Sequence, residues 1–439
     1  MGAQSIDGAF DRAELGDRKS IRQVAFASFV GTAVEWYDFF IYGTAAALVF
    51  PRLFFPRFDP LAGTLASFAT FGVGFLARPV GGAVFGHFGD RIGRKSMLVT
   101  TLLLMGGATF LIGLLPTFER IGVIAPILLV TLRFVQGFAV GGEWGGAILM
   151  AFEHAPEQDR TFYASWPQLG VPAGLVLSTG VFAAFSLLPE TQFLAWGWRV
   201  AFLLSVALIV VGLVIRLRVA ESPVFSRIKE RRVESKAPLL EVLRDHRLAL
   251  VLAIGVVLVS ISGFYIVTIF SLSYLTKQLG VSRSVALVGN VLFSVSEAVS
   301  ILIFARLADR VGKNRVAICS AACLVLFSYP FFWLLSTGAP TLIWLAMCIQ
   351  AFIASALYGI TGAILAELFA PRVRCSGISL GYQMAGILGG APAPIIATYL
   401  IHWSGGATWS VATYLAASSL ITFVAVYVVS RSKGVAITH

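Results

Sequence analysis

Charge is what this sequence has least of. Of its 439 residues, 13% are charged and 58% hydrophobic, more apolar material than a water-soluble surface of this size tolerates, so an integral membrane protein is expected. Cysteine and histidine are scarce too, at four and five residues. Cys319, Cys323 and Cys348 fall in apolar runs and Cys375 follows a basic loop, with no His and Cys grouping at metal-ligand spacing; neither zinc nor a disulfide is expected. No glycine-rich string ends in the Gly-Lys-Ser/Thr of a phosphate loop, which removes an ATPase. Nor does any nucleophile and base pattern suggest an intramembrane enzyme, so no enzyme and no cofactor is expected. The first 20 residues are polar and mixed in charge, without the short apolar core of a signal peptide, and the start is expected to stay inside.

Long apolar runs, by contrast, fill the chain. A bilayer crossing takes ~20 residues. Twelve runs of that order fall at 22–50, 61–88, 97–115, 121–152, 161–187, 197–219, 248–276, 284–308, 316–337, 340–369, 375–402 and 408–430. The expected fold is an all-α integral membrane protein of twelve transmembrane helices in two six-helix halves. Its domains are a cytoplasmic segment 1–21, a bundle 22–219, a basic linker 220–247, a second bundle 248–430 and a short tail 431–439. The net charge of +11 would suggest nucleic acid, but 24 of the 33 Lys and Arg lie at the termini, in the loops after even-numbered spans, or, as Arg22, Arg216 and Arg218, at the span ends beside them. Loops on the other side hold only Arg52, Arg57, Arg120, Lys277 and Arg283. That asymmetry places both termini and the linker in the cytoplasm and accounts for the charge without nucleic acid.

Two repeated anchors support the division into halves. Gly86-His87-Phe88-Gly89-Asp90-Arg91-Ile92-Gly93-Arg94-Lys95 returns imperfectly as Ala305-Arg306-Leu307-Ala308-Asp309-Arg310-Val311-Gly312-Lys313-Asn314-Arg315, with the aspartates 219 residues apart. Glu153 and Arg160 after span 4 match Glu367 and Arg374 after span 10, at an offset of 214. The Gly86–Lys95 loop resembles the signature of the major facilitator superfamily between spans 2 and 3. Arg133-Phe134-Val135-Gln136-Gly137 resembles its fourth-span signature, and Gly170-Val171-Pro172-Ala173-Gly174 its fifth. Within that superfamily, Glu35-Trp36-Tyr37-Asp38-Phe39-Phe40-Ile41-Tyr42-Gly43 and Gly141-Gly142-Glu143-Trp144-Gly145-Gly146 resemble the metabolite:proton symporters. Departures are Ala305 for glycine, Asn314 for a base, and Ala220-Glu221-Ser222-Pro223 for a proline-led form after span 6.

The resemblance implies a monomeric secondary transporter of the inner membrane, working by alternating access with the proton as coupling ion. Members import small carboxylates such as shikimate, 2-oxoglutarate or citrate, or zwitterions such as proline and betaine. A uniporter or exchanger of the same fold stays open.

Candidate chemistry lies on the charged residues inside spans, which are costly in lipid and face a cavity or a partner. Glu35, Asp38 and Tyr42 recur at i, i+3 and i+7 on one helical face. Arg133, Gln136 and Glu143 share a face of span 4. Arginine stays protonated, so it carries no proton itself but can hold a neighbouring carboxylate ionised and release it. The resemblance makes Asp38 the proton carrier tuned by Arg133, with Glu35 and Glu143 as further participants; a structural ion pair is the other reading of these groups. Arg78, deep in span 2, is the candidate anion ligand, because a guanidinium takes a carboxylate bidentately; its alternative is a partner for a span 1 acid. Tyr42, Gln136, Gln168, Tyr265, Tyr358 and Gln383 are the expected polar contacts of the cargo, and Glu297 and Gln350 are further buried polar groups without an assigned role. The cytoplasmic gate is expected to comprise Gly86, Asp90, Arg91, Gly93, Arg94, Glu153, Arg160, Asp309, Arg310, Glu367 and Arg374. Arg78 and Arg133 favour an organic anion over a zwitterion. So does the short tail, since osmosensing relatives often carry a long C-terminal coiled coil.

Overall fold

Backbone in hydrocarbon has no water to bond to, so each apolar run must satisfy its own amides and carbonyls as a helix. The computed structural model is helical throughout its regular structure among the described residues, which are 3–92, 94–141, 148, 151, 155–218, 238–369 and 373–432. Side chains are described for these except at 3–24, 83, 86–92, 94–98, 157, 215–218, 238–239, 374–375 and 432. The first half comprises α1 (Ala3–Leu48), α2 (Pro60–Ile92), α3 (Arg94–Leu114), α4 (Ile124–Val140), α5 (Arg160–Ser186) and α6 (Glu190–Val214). The second comprises α7 (Arg247–Lys277), α8 (Arg283–Val311), α9 (Lys313–Ser336), α10 (Pro340–Leu368), α11 (Ser376–Trp403) and α12 (Trp409–Ser432).

Each helix stands at an expected span, with differences of extent: α2 runs to Ile92 and α3 begins at Arg94, so the expected Gly86–Lys95 loop is helical at 86–92 and again from 94. Helix α1 begins at Ala3, far ahead of 22, because nothing in the polar lead breaks a helix; and the linker ends in a short amphipathic helix, Pro238–Asp245. The outer surface carries large apolar side chains such as Leu326 and Trp333, 76% and 69% exposed, which only lipid can cover without cost.

Within the halves, α1 lies along α5, α2 along α4, and α8 along α10; between the halves, α5 packs on α8 and α2 on α11. Small residues make the closest of these approaches possible. A Cβ at Gly81 of α2 would fall 1.7 Å from the Phe138 carbonyl oxygen of α4, and one at Gly137 would fall 2.0 Å from the Gly74 oxygen. Backbone therefore touches backbone along the α2–α4 crossing, the packing that replaces hydrophobic drive in lipid. Gly81→Ala has to part the two helices, and a cost of at least ~1–3 kcal/mol is expected from overpacking. Gly107→Ala meets nothing within 4 Å and should be neutral or slightly stabilising. Thermal unfolding of the purified variants checks this pair: equal midpoints would refute the close crossing.

Short π-helical turns interrupt α6, α7 and α11 at Phe193–Gly197, Ile266–Phe270 and Gly386–Gly390. Those in α7 and α11 directly follow Tyr265 and the Tyr382–Ala385 turn, and such bulges re-aim the side chains beside them.

Candidate functional site

Between the halves lies a cavity with an empty volume of about 560 Å³. The first half contributes Trp36 of α1, Phe75 and Arg78 of α2 and Val171 of α5. From the second come Ser260, Phe264 and Tyr265 of α7, Phe293 and Glu297 of α8, Gln350, Ser355 and Tyr358 of α10, and Tyr382 of α11. It is an aromatic chamber with one base on one wall and one acid on the other.

Helical period brings Arg78 there. Phe71, Phe75 and Arg78 recur at i, i+4 and i+7, so the guanidinium projects on the same face as the two rings. Arg78 is 2% exposed, and its guanidinium carbon lies 4.5 Å from the Phe75 ring centre, 4.6 Å from Phe39 and 5.8 Å from Trp36. Its Nε has no hydrogen-bond partner, and no ion pair joins Arg78 to an acid among the described residues. The cation is thus held by ring faces, which attract it without neutralising it.

Arg133 is fully buried behind that wall, with its guanidinium carbon 4.2 Å from the ring centres of Phe39 and Tyr42 and 4.8 Å from Phe71. Gly74 leaves the room it needs, since a Cβ there would stand 2.7 Å from Arg133 Nε. Phe39 therefore lies between two guanidinium groups, Arg78 on the cavity side and Arg133 away from it. Asp38 is 1% exposed and makes no ion pair with Arg133. A polar chain leads from Arg133 toward Asp38: Arg133 Nη1 donates to Gln136 Oε1 at 3.1 Å, Gln136 Nε2 donates to Thr109 Oγ1 at 2.7 Å, and the Thr109 hydroxyl, beside the Asp38 carboxyl, donates to the Met105 carbonyl at 2.9 Å. Asp38 Oδ1 has no hydrogen-bond partner.

Contacts join the halves on both faces of the bundle. On the face of the Lys- and Arg-rich loops, Asp309 of α8 accepts from the backbone N–H groups of Thr161 and Phe162 at 3.3 and 3.0 Å, where the positive end of α5 favours an anion. Further in, Gln168 Nε2 donates to the Tyr358 carbonyl at 2.8 Å and Gln383 Nε2 to the Gly141 carbonyl at 3.1 Å. On the opposite face Lys277 Nζ donates to Thr64 Oγ1 at 2.9 Å, and Glu190 takes Arg283 of the second half at 3.4 Å as well as Arg52 of the first.

Of the expected cargo contacts, Arg78, Tyr265 and Tyr358 line the cavity, while Tyr42, Gln136, Gln168 and Gln383 do not. Tyr42 donates to Thr70 Oγ1 at 2.8 Å, Gln136 belongs to the polar chain from Arg133, and the two remaining glutamines bond across the halves. Each is held by a neighbouring helix. Glu35 is buried at 7% exposure on the same helix as Asp38. Among the expected gate residues, Arg160 is partly buried at the start of α5, Arg310 is exposed, and Glu367 pairs with Lys313 of the second half. Glu143, Gly93 and Glu153 lie outside the described residues. Gly86, Asp90, Arg91, Arg94 and Arg374 lie in helices whose side chains at those positions are likewise outside the description.

A family model described as Sugar (and other) transporter matches residues 24–247, and one described as Major Facilitator Superfamily matches residues 252–436. The inner membrane metabolite transport protein YhjE of Escherichia coli (strain K12) is 41% identical over 421 residues, which are 94% of this chain and 95% of that protein. The chain belongs to the major facilitator superfamily. This major facilitator is also 44% identical to the shikimate transporter of the same strain, over 91% of its own length and 92% of the relative's. It is 31% identical to that strain's proline/betaine transporter, over 88% and 79%. Its fold matches the crystal structure of a D-xylose-proton symporter with a TM-score of 0.72 at 17% identity, over 92% of this chain and 97% of that one. This major facilitator is therefore a multi-pass membrane transporter and not an enzyme.

Several residues of its site carried little or no sequence signal. Thr109 reads as an ordinary mid-span threonine, its hydroxyl bonded to the Met105 carbonyl one turn back. Trp36, Phe39 and Phe75 are indistinguishable by composition from the other aromatics of apolar spans. Glu297 and Gln350 stand out as polar groups in spans 8 and 10, and only the fold shows them on one cavity with Arg78.

Proposed function

We propose that this transporter imports a small organic anion, a mono- or dicarboxylate, by proton symport across the inner membrane, working as a monomer by alternating access and without a cofactor. The observation that carries the reading is Arg78: a buried guanidinium on the cavity wall, surrounded by ring faces and without an acid partner. A carboxylate from solution is the group that would complete it, with two parallel charge-assisted hydrogen bonds. A shikimate transporter among the relatives accords with the same class. The Lys- and Arg-rich face, with both termini, is the cytoplasmic one in this reading.

Proton coupling is assigned to Asp38, with Arg133 acting on it through Gln136 and Thr109 and with Glu35 and Glu143 as further acids of the set. Phe39 is the physical link, because it touches both the cargo arginine and the coupling arginine. Glu297 in the same cavity supports a second reading, in which a zwitterion spans the base and the acid; a proline/betaine transporter is among the relatives. Uptake into proteoliposomes decides between them. Labelled shikimate, 2-oxoglutarate and citrate are compared with glycine betaine, with and without an inward proton gradient. Acid accumulation that collapses without the gradient is expected. Gradient-driven uptake of betaine alone would transfer the function to zwitterions, and gradient-independent equilibration would make the protein a uniporter or exchanger.

A further inference from the structure

We propose that Glu297 is a protonatable group of the cargo cavity, so that an anion enters the site together with a proton carried on this side chain. The proposal rests on the anion reading of Arg78 and adds to it a second acid, distinct from Asp38 and in the cavity wall itself.

Glu297 is 2% exposed on α8, one turn after Phe293, and both side chains line the cavity. Its Oε2 has no hydrogen-bond partner, and no Lys or Arg among the described residues lies within ion-pair distance. The titratable groups around it are phenols: Tyr358 of α10, Tyr382 of α11 and Tyr265 of α7. Arg78 of α2 lines the same cavity. The other helices packed on α8 offer no second base. Helix α5 has Arg160 and Tyr163 at its loop end; α9 has Lys313 and Arg315 at its loop end, and Cys319, Cys323 and Tyr329 on its exposed side. Tyr274 and Lys277 lie at the opposite-face end of α7, and Cys348 of α10 is outside the cavity lining.

Charge balance then decides the protonation state. In the empty cavity Arg78 and an ionised Glu297 sum to zero. An arriving monoanion takes Arg78 for itself and would leave Glu297 as an unpaired buried carboxylate, which a low-dielectric site disfavours strongly. One proton on Glu297 restores neutrality and turns the acid into a hydrogen-bond donor aimed at the cargo. Counting Arg78, Glu297 and a monoanionic cargo, only two forms of the site are neutral: empty with Glu297 ionised, and loaded with Glu297 protonated; a dianion or trianion would enter with further protons of its own. A site that crosses between the two sides of a membrane in neutral forms alone couples cargo to proton by this arithmetic.

The test is calorimetric titration of the full-length protein in detergent with shikimate, 2-oxoglutarate and citrate. Each titration is run in phosphate and in Tris, whose different ionisation heats report the protons taken up. The unmodified protein is expected to take up protons as an acid binds. Glu297→Gln, a mimic of the protonated form, should bind the same acid with one proton fewer. The share of the pH dependence due to Glu297, up to about tenfold in affinity per pH unit, should be lost with it. Asp38→Asn should keep the proton that belongs to Glu297. Glu297→Asp should restore the proton uptake, which separates a titrating carboxyl from a packing role. The proposal fails if Glu297→Gln takes up as many protons as the unmodified protein. It also fails if Glu297→Gln loses acid binding while Glu297→Asp keeps it, or if the unmodified protein binds glycine betaine and Glu297→Gln does not, since the carboxylate itself would then be the ligand. If none of the acids binds the unmodified protein, the anion reading fails and this proposal falls with it.

Discussion

Asp38→Asn is expected to lose the share of accumulation that the Asp38 proton draws from an inward pH gradient, while still permitting exchange of cargo already present on both sides. Asparagine has the shape of the protonated carboxyl and cannot lose a proton, so the variant is locked in one of the two states that coupling must visit. The magnitude follows from the gradient: each pH unit supplies about 1.4 kcal/mol per proton, so the cargo ratio maintained by the Asp38 proton should fall by about tenfold per unit. The position of Asp38 motivates this: it is 1% exposed, has one oxygen unpartnered and lies beside Thr109, which Gln136 links to Arg133. Thr109→Val removes the hydroxyl from this link and should weaken coupling in the same direction while leaving every ionisable group in place. Full accumulation by Asp38→Asn would move the proton to another acid, with Glu35 next and Glu143 after it.

Arg78→Gln is expected to weaken binding of the transported acid by about 30-fold or more, because removing one partner of a desolvated, hydrogen-bonded charge pair costs on the order of 2–5 kcal/mol. Arg78→Lys should recover little of this. An ammonium is a point charge that cannot reproduce a planar two-bond grip, and it fits less well among the Trp36, Phe39 and Phe75 faces. Equilibrium binding in detergent at fixed pH measures both variants without requiring transport. Native affinity in Arg78→Gln with altered proton dependence would assign Arg78 to the coupling set rather than to the cargo.

The twelve helices were legible because their signal is long and redundant: some twenty apolar residues at a time, with basic residues confined to alternate loops. Helix rotation is a weaker signal. Arg78, Tyr265 and Tyr358 reach the cavity, but Tyr42, Gln136, Gln168 and Gln383 turn to neighbouring helices, and nothing in a span's own sequence says whether a polar side chain will serve a ligand or a helix contact. The link through Thr109 was beyond reach for the same reason, since it depends on how α1, α3 and α4 are turned toward one another. Glycines gave the converse lesson. Their density in span 2 signals close packing, but only the fold shows that Gly74 makes room for a guanidinium while Gly81 makes room for a carbonyl.

The clasp at Asp309 has an uneven vulnerability. Its carboxylate binds the main-chain N–H groups of residues 161 and 162, which almost any amino acid supplies. Thr161 and Phe162 can therefore drift in sequence with the clasp intact, and only proline, which lacks the donor, would cut it from that side. Asp309 has no such latitude: a one-carbon change in reach or the loss of one oxygen alters both bonds together. The two ends of a single contact thus tolerate change very differently, and random mutagenesis of this loop face should return loss-of-function substitutions of many kinds at 309 but chiefly proline at 161 and 162.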